Sequence, residues 1–240
     1  MVLAAGLGTR LKGLTKDRPK ALVKVNGQTM LEITLERLQK YGVREVILNT
    51  HHFSEMMREY VTTLNNKGLR IELSQENTLM DTGGGLKKAA WFFLEDPDRL
   101  DEPFILHNVD ILSTVDLARM MQFHRENEAL ATLAVQKRDT SRYLIFDEQL
   151  RLCGWKASAK YEPKMVRQTS QSIELAFCGI HIISPRLLQL IKEEGVFSII
   201  DTYLNLTKEG GKIVAFRADE YLWRDIGSPS ELNEASRTFL

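Results

Sequence analysis

The chain has 240 residues, 43% hydrophobic and 27% charged, which suits one large α/β domain with a proper core. Its 32 basic and 32 acidic residues cancel, which argues against a nucleic-acid or other general polyanion partner but leaves room for a small local phosphate site. No apolar run approaches the roughly 20 residues that span a bilayer, and the opening MVLAAGLGTR lacks the basic and long apolar regions of a signal peptide, so a cytoplasmic chain without membrane attachment is expected.

The first apolar run, Val2–Ala5, reads as a short strand, and its shortness suggests residues upstream of Met1. A glycine-rich loop follows. Leu31, Leu35 and Leu38 share one face of a helix predicted over 30–41, with Gly42 suited to its C′ position. Val46–Asn49 reads as a buried strand. Ser54 is the expected N-cap of a helix striped by Met57, Val61 and Leu64 and ended by Gly68. A strand over 70–74 leads through a loop to Gly83-Gly84-Gly85 and a helix over 86–94. The strand Phe104–Leu106 ends at Asn108-Val109-Asp110.

The rhythm changes after about Ala129. Strands are predicted over 130–135, 143–146, 150–155 and 173–183, with a tight turn at Asp147-Glu148-Gln149. Helices are predicted over 185–194 and 198–208, then a strand over 212–216 and the segment Tyr221–Gly227. Ser228-Pro229-Ser230-Glu231 is a capping box with proline at N1, so a last helix begins there. Alternating strands and helices imply βαβ units. The expected fold is a three-layer α/β/α sandwich with a Rossmann-like, mostly parallel sheet and a small antiparallel lobe. Residues 1–128 would form the nucleotide-binding part of one domain, and 129–240 the sugar-binding part. Two cysteines, Cys153 and Cys178, are too few and too far apart for a paired-cysteine zinc site and read as free thiols.

The strongest chemical signal is Leu3-Ala4-Ala5-Gly6-Leu7-Gly8-Thr9-Arg10-Leu11 with Pro19-Lys20 downstream. Gly6 and Gly8 after a strand let backbone N–H groups approach an anion, Arg10 adds a planar fork of donors, and Lys20 a mobile point charge. No Gly-Lys-Ser/Thr follows, so this is not a Walker A loop, and Leu11 stands where the dinucleotide fingerprint needs its third glycine.

LAAGLGTRL with a downstream PKAL resembles the signature of the sugar-1-phosphate nucleotidyltransferases. Three later motifs fall in that family's order. Asp81-Thr82-Gly83-Gly84-Gly85 resembles its second glycine-rich loop. His107-Asn108-Val109-Asp110 resembles its strand-end metal motif. Trp223-Arg224-Asp225-Ile226-Gly227-Ser228-Pro229 resembles the late motif that supplies a second metal aspartate. The sequence departs where the family usually has proline at Gly13 and glycine at Val109. The resemblance implies transfer of a nucleotidyl group from a nucleoside triphosphate to a sugar 1-phosphate, with Mg2+ held by Asp110 and Asp225. Arg10 and Lys20 would be catalytic. Leu3, Ala4, Ala5, Gly6, Gly8, Thr9, Gln75, Gly83, Gly84 and Asn108 would bind nucleotide, with Glu76 an alternative to Gln75. Lys156, Glu174 and Gly179 would meet the sugar phosphate, with Lys160 an alternative to Lys156.

The Thr-Gly-Gly-Gly loop and Asn49-Thr50-His51-His52 look most like the members that use UTP and N-acetylmuramate 1-phosphate in cell-wall recycling. Mannose- or heptose-1-phosphate guanylyltransferases are the alternative. The chain length is expected to exclude an attached acyltransferase or β-helix domain. A monomer or homodimer is expected. A glycosyltransferase using a finished nucleotide sugar and a non-catalytic nucleotide-binding paralogue are the rival classes. Arg10 and Lys20 speak against the first, and the retention of both metal aspartates against the second. His51 and His52 point apart on an extended segment, so they share no ion. Trp91-Phe92-Phe93 reads as core, and Lys87-Lys88 as a solvated helix start.

Overall fold

A computed structural model describes residues 1–64, 68–157 and 161–238. Its strands are β1 (Val2–Leu3), β2 (Lys24–Val25), β3 (Gln28–Thr29), β4 (Glu45–Thr50), β5 (Arg70–Gln75), β6 (Phe104–Asn108), β7 (Ile111–Ser113), β8 (Ala131–Gln136), β9 (Arg142–Phe146), β10 (Leu152–Ala157), β11 (Lys164–Met165), β12 (Ile173–Ile183), β13 (Ile213–Arg217) and β14 (Trp223–Asp225). Its α-helices are α1 (Met30–Lys40), α2 (Ser54–Thr63), α3 (Asp81–Lys88), α4 (Trp91–Leu94), α5 (Leu117–Glu126), α6 (Arg186–Gln189), α7 (Ile199–Lys208) and α8 (Pro229–Thr238).

One ten-stranded sheet forms the middle layer, in the order β11-β10-β9-β12-β6-β1-β4-β5, with β8 and β13 branching from β12. The segment β6-β1-β4-β5 is parallel, as is the β8–β13 pair, whereas β12 runs antiparallel to β6, β8 and β9. Buried on both faces, these strands alternate their side chains between two cores. Leu48 of β4 and Ile182 of β12 face a core shared with Leu31, Leu35 and Leu38 of α1, Met57 of α2 and Met120 of α5. Ile47 and Ile183, one residue away on the same strands, face a second core with Leu86 of α3 and Tyr203 and Leu204 of α7. The expected α/β/α sandwich with an antiparallel extension, β9-β10-β11, is what forms.

Local expectations hold where the chemistry is local. The helix expected over 30–41 forms as α1, and the structure adds a capping box of Thr29 and Glu32 at its start. At α8, Ser228 accepts from Glu231 N at 3.3 Å, and the Glu231 carboxylate reaches back to Gly227 N at 3.0 Å. Three expectations need correction. Ser54 is the first helical residue of α2, not its cap; Phe53, in the left-handed region at φ 60, precedes it without a side-chain cap bond. The helix expected over 185–194 stops at Gln189, because the chain must turn at Gly195 (φ 73) and lie against α3, where Glu193 O accepts from Lys87 Nζ at 2.7 Å. The glycine triplet is not a loop. It lies inside α3, and α4 is a separate short helix.

The reason for the triplet is packing. A Cβ on Gly83 would sit 2.4 Å from the Phe197 ring, and one on Gly84 would sit 2.4 Å from Gly195 O. The N–H groups of Gly83 and Gly84 both donate to Phe197 O, at 3.0 and 3.2 Å. Glycine therefore lets α3 dock on the 195–197 segment at backbone contact. Gly84→Ala should cost about 1–3 kcal/mol of stability by overpacking, lowering Tm by several degrees. Gly13→Ala, where nothing lies within 4 Å of the added carbon, should leave it unchanged. Equal melting temperatures for both variants would show that the helix adjusts without strain.

Candidate active site

Parallel strands β1, β4 and β6 end on one side of the sheet, the side where α/β proteins gather ligands. A cavity of about 350 Å³ opens there, lined by Leu3, Ala4, Ala5 and Gly6 from the first loop and by Thr82, Asn108 and Asp110 opposite. Its rim is held by a buried relay. Asn49 Oδ1 accepts from Ala4 N at 2.7 Å and Ala5 N at 3.3 Å, and Asn49 Nδ2 donates to Glu76 Oε1 at 2.7 Å. The other Glu76 oxygen accepts from Met80 N at 3.0 Å. Glu76 is thus an internal strut, and Gln75 stands exposed outside the cavity lining. The signal was legible in part: an amide ending an apolar strand needs a partner for both of its ends.

Gly8 and Thr9 lie off the cavity, because the loop winds into a 3₁₀ turn over Thr9–Thr15 in which Thr15 Oγ1 donates to Gly8 O at 3.0 Å. Gly83 and Gly84 are also absent from the lining, since both of their N–H groups are spent on Phe197. Their neighbours Asp81 and Thr82 line it instead.

The two expected metal aspartates meet. β14 pairs antiparallel with β7, matching Asp225 with Ile111, and Ile226 N donates to Asp110 O at 2.8 Å. Lys20, itself buried, forms an ion pair with Asp110. Arg10 Nη2 lies 3.5 Å from Asp225 Oδ2, and its guanidinium occupies the space a Cβ on Gly227 would need. Burial, then the nearby Asp110 charge, holds the Asp225 carboxyl above the usual carboxylate range. Asp225 Oδ1 and Asn108 Oδ1 are buried without hydrogen-bond partners. These are hard oxygen donors, and two carboxylates suffice for Mg2+, which keeps waters and takes phosphate oxygens. The residues present therefore fit the ion. Among the described residues no cluster of three or more His, Cys, Asp or Glu offers a metal cage.

His107 braces the same strand end. Its Nδ1 donates to Asn108 O at 2.8 Å, so Nε2 accepts from Arg37 at 3.1 Å, and burial with the Arg37 charge pulls its pKa down to about 3. His51 and His52 form no joint site: His51 Nδ1 bonds Glu76 O at 2.8 Å, while the His52 ring packs on Phe53.

A second cavity of about 490 Å³ adjoins the first and shares Asn108 with it. Gly179 and Asp225 line it. Gly179, at φ 71, lets β12 pass so close to β6 that a Cβ would sit 2.9 Å from both Asn108 Nδ2 and Ile111 Cγ1. Lys156 and Glu174 do not line it. They pair with each other at 2.7 Å, whereas Trp155 and Lys164 face the cavity. Strand alternation turns Lys156 away from the side that its neighbour Trp155 presents. Lys160 lies outside the described residues. Both cysteines are buried free thiols.

The sequence matches the Nucleotidyl transferase family over residues 1–240. It is 31% identical over 244 residues to the N-acetylmuramate alpha-1-phosphate uridylyltransferase of Caulobacter vibrioides, covering 95% of this chain and 91% of that protein. The chain belongs to the sugar-1-phosphate nucleotidyltransferase family. That membership favours the nucleotidyl transferase over the glycosyltransferase alternative. It is also 28% identical over 243 residues to the mannose-1-phosphate guanyltransferase of Yarrowia lipolytica, covering all of this chain but 63% of that protein. HddC from Yersinia pseudotuberculosis, solved in complex with GMP-PN, shares the fold with a TM-score of 0.77 at 23% identity, covering 100% of this chain and 98% of that one. No helix among the described residues is long and apolar enough to cross a membrane.

The Asp110–Asp225 pair has a consequence in the metal-free protein. A carboxyl whose folded pKa lies above its unfolded value, near 3.9, costs stability above the folded pKa and regains it as pH falls. Asp225→Asn should therefore melt higher than wild type at pH 7, with the gap closing as pH falls toward the ordinary carboxylate value near 3.9. Mg2+ should raise the Tm of the wild type and not of the variant. A gap independent of pH would remove Asp225 from the charge-strained pair.

Proposed function

We propose that the chain is a uridylyltransferase joining UTP to N-acetylmuramate 1-phosphate, with release of pyrophosphate. What carries this reading is the convergence of Lys20, Asp110, Asp225 and Arg10 at the junction of two cavities. The sequence also resembles the Caulobacter enzyme over nearly all of both chains. The first cavity takes the nucleotide, and the second takes the sugar.

A phosphate oxygen of the sugar attacks the α-phosphorus of UTP. The bond to the bridging oxygen breaks, and pyrophosphate leaves with its electron pair. No protein nucleophile is consumed, so alignment and charge neutralisation do the work. Ala4 and Ala5, fixed by Asn49, form the wall against the nucleoside. Lys20 and Arg10 offer positive charge to the triphosphate beside the aspartates. Mg2+ held by Asp110 and Asp225 would supply the charge that lets two anions meet. Gly179 keeps the floor between the cavities thin. The competing reading, GTP with mannose 1-phosphate, draws on the Yarrowia relative.

Pyrophosphate release measured for UTP and GTP against both sugar phosphates tests the substrate. UTP with N-acetylmuramate 1-phosphate should far outpace GTP with mannose 1-phosphate, and the reverse order would overturn the uridylyl reading. The Arg10 side chain is 66% exposed and, among the described residues, has only Asp225 as ion-pair partner, so it does little for the fold. Arg10→Ala should keep Tm within a degree or two yet lower the single-turnover rate about 10²–10³-fold, as expected of a lost anion-stabilising donor. Arg10→Lys should recover part of it. A destabilised but fully active Arg10→Ala would place the phosphate grip elsewhere.

A further inference from the structure

The second cavity opens where β12 changes partners. β12 pairs with β6 from Ile180 onward and with β9 up to Leu175. Carbonyls between those two pairings are met by side chains: Arg138 Nη2 donates to Phe177 O at 2.8 Å, and Trp223 Nε1 to Cys178 O at 2.8 Å. The Arg138 guanidinium stacks on the Trp223 ring, 3.8 Å from its centroid. Arg138 Nε is buried and has no hydrogen-bond partner. Arg142 and Lys164, both exposed, line the same cavity. Among the described residues none of these three cations forms an ion pair, although Asp201 and Asp225 also line the space. Asp225 already answers to Arg10.

This charge pattern exceeds what a sugar 1-phosphate alone requires. The phosphate must reach the Asp110–Asp225 junction. Arg142 starts β9, which lies two strand spacings, about 10 Å, across the sheet from β6. With a neutral hexose the buried Arg138 Nε would stay without a hydrogen-bond partner, which is costly, and the exposed Arg142 and Lys164 would face only water. A carboxylate accepts the two-pronged guanidinium fork.

The geometry points to Arg142 and Arg138, assisted by Lys164, as the recognition site for a carboxylate carried by the sugar in addition to its 1-phosphate. This rests on the reading that the second cavity takes the sugar. Arg138, fixed by Trp223 and Phe177 O, is the rigid half of the site, and Arg142 the adaptable half. The consequence is selection for acidic sugars over neutral ones of the same ring.

The test compares N-acetylmuramate 1-phosphate with N-acetylglucosamine 1-phosphate, the same ring without the lactyl carboxylate, using UTP. Wild type should favour the acidic sugar by tenfold or more in kcat/KM. Arg142→Gln, at an exposed position that should fold, should lower that preference about 10- to 100-fold, chiefly through KM, as the loss of a charge-assisted contact implies. Arg142→Lys should restore part of the preference. A wild type indifferent to the carboxylate, or an Arg142→Gln that loses both sugars equally, would overturn the assignment, the latter by showing that the cation serves the 1-phosphate. Preference for GTP with the acidic-sugar preference intact would sink the uridylyl reading and support this one.

Discussion

Two carboxylates that belong to distant parts of the chain are pressed into one place, and much of the molecule serves to keep them there. Asp110 sits in the turn between β6 and β7, and Asp225 ends β14, 115 residues later, yet the β7–β14 pairing and the Ile226 N–Asp110 O bond set them side by side. Like charges at close range repel, and burial of Asp225 strengthens the repulsion. The protein offsets this with one cation apiece, Lys20 on Asp110 and Arg10 on Asp225. Both cations come from the loop region after β1. Lys20 is buried beside Asp110, whereas Arg10 is largely exposed beside Asp225, and a glycine at position 227 leaves its guanidinium room.

The same economy of space runs through the rest of the site. Asn49 bonds two backbone N–H groups of the first loop and passes its own amide to Glu76, so the end of β4 determines the shape of the loop after β1. Gly85 lets α3 approach that relay, since a Cβ there would sit 2.7 Å from Glu76 Oε1. β12 then lines the second cavity beside Asn108, the residue that both cavities share. Gly179 brings it against Asn108, and its unpaired carbonyls anchor Arg138 and Trp223, which shape the second cavity. A strand that changes partners thus becomes a binding surface, because the hydrogen-bonding groups it leaves open must be met by side chains.

Where the structure departs from the sequence reading, the cause is long-range packing. Gly83 and Gly84 were expected on a glycine-rich loop open to nucleotide. In the fold they signal backbone contact with residues 195–197. Lys156 looked like a sugar-phosphate contact, but its position in β10 gives it to Glu174, and Trp155 and Lys164 hold the cavity side. Helix α5 and strand β7 went unread. α5 carried a legible start signal in its Asp116 cap, whereas β7 spans only Ile111–Ser113, beside a motif that reads as a loop.

By itself the sequence determined what depends on neighbours along the chain: the capped start of α8, the alternation of strands and helices that layers the fold, and the glycine-arginine loop. Those features follow from local backbone preference and from hydrophobic periodicity, which need no partner to be legible. Only the tertiary structure decided which polar groups meet. It spent the N–H groups of Gly83 and Gly84 on Phe197, made Glu76 a strut, and paired Lys20 with Asp110. It also gathered Arg138, Arg142 and Lys164 around one cavity. The physical reason is that a hydrogen bond or ion pair is fixed by positions a few ångströms apart in space, while the residues that make it stand tens to more than a hundred positions apart in the chain.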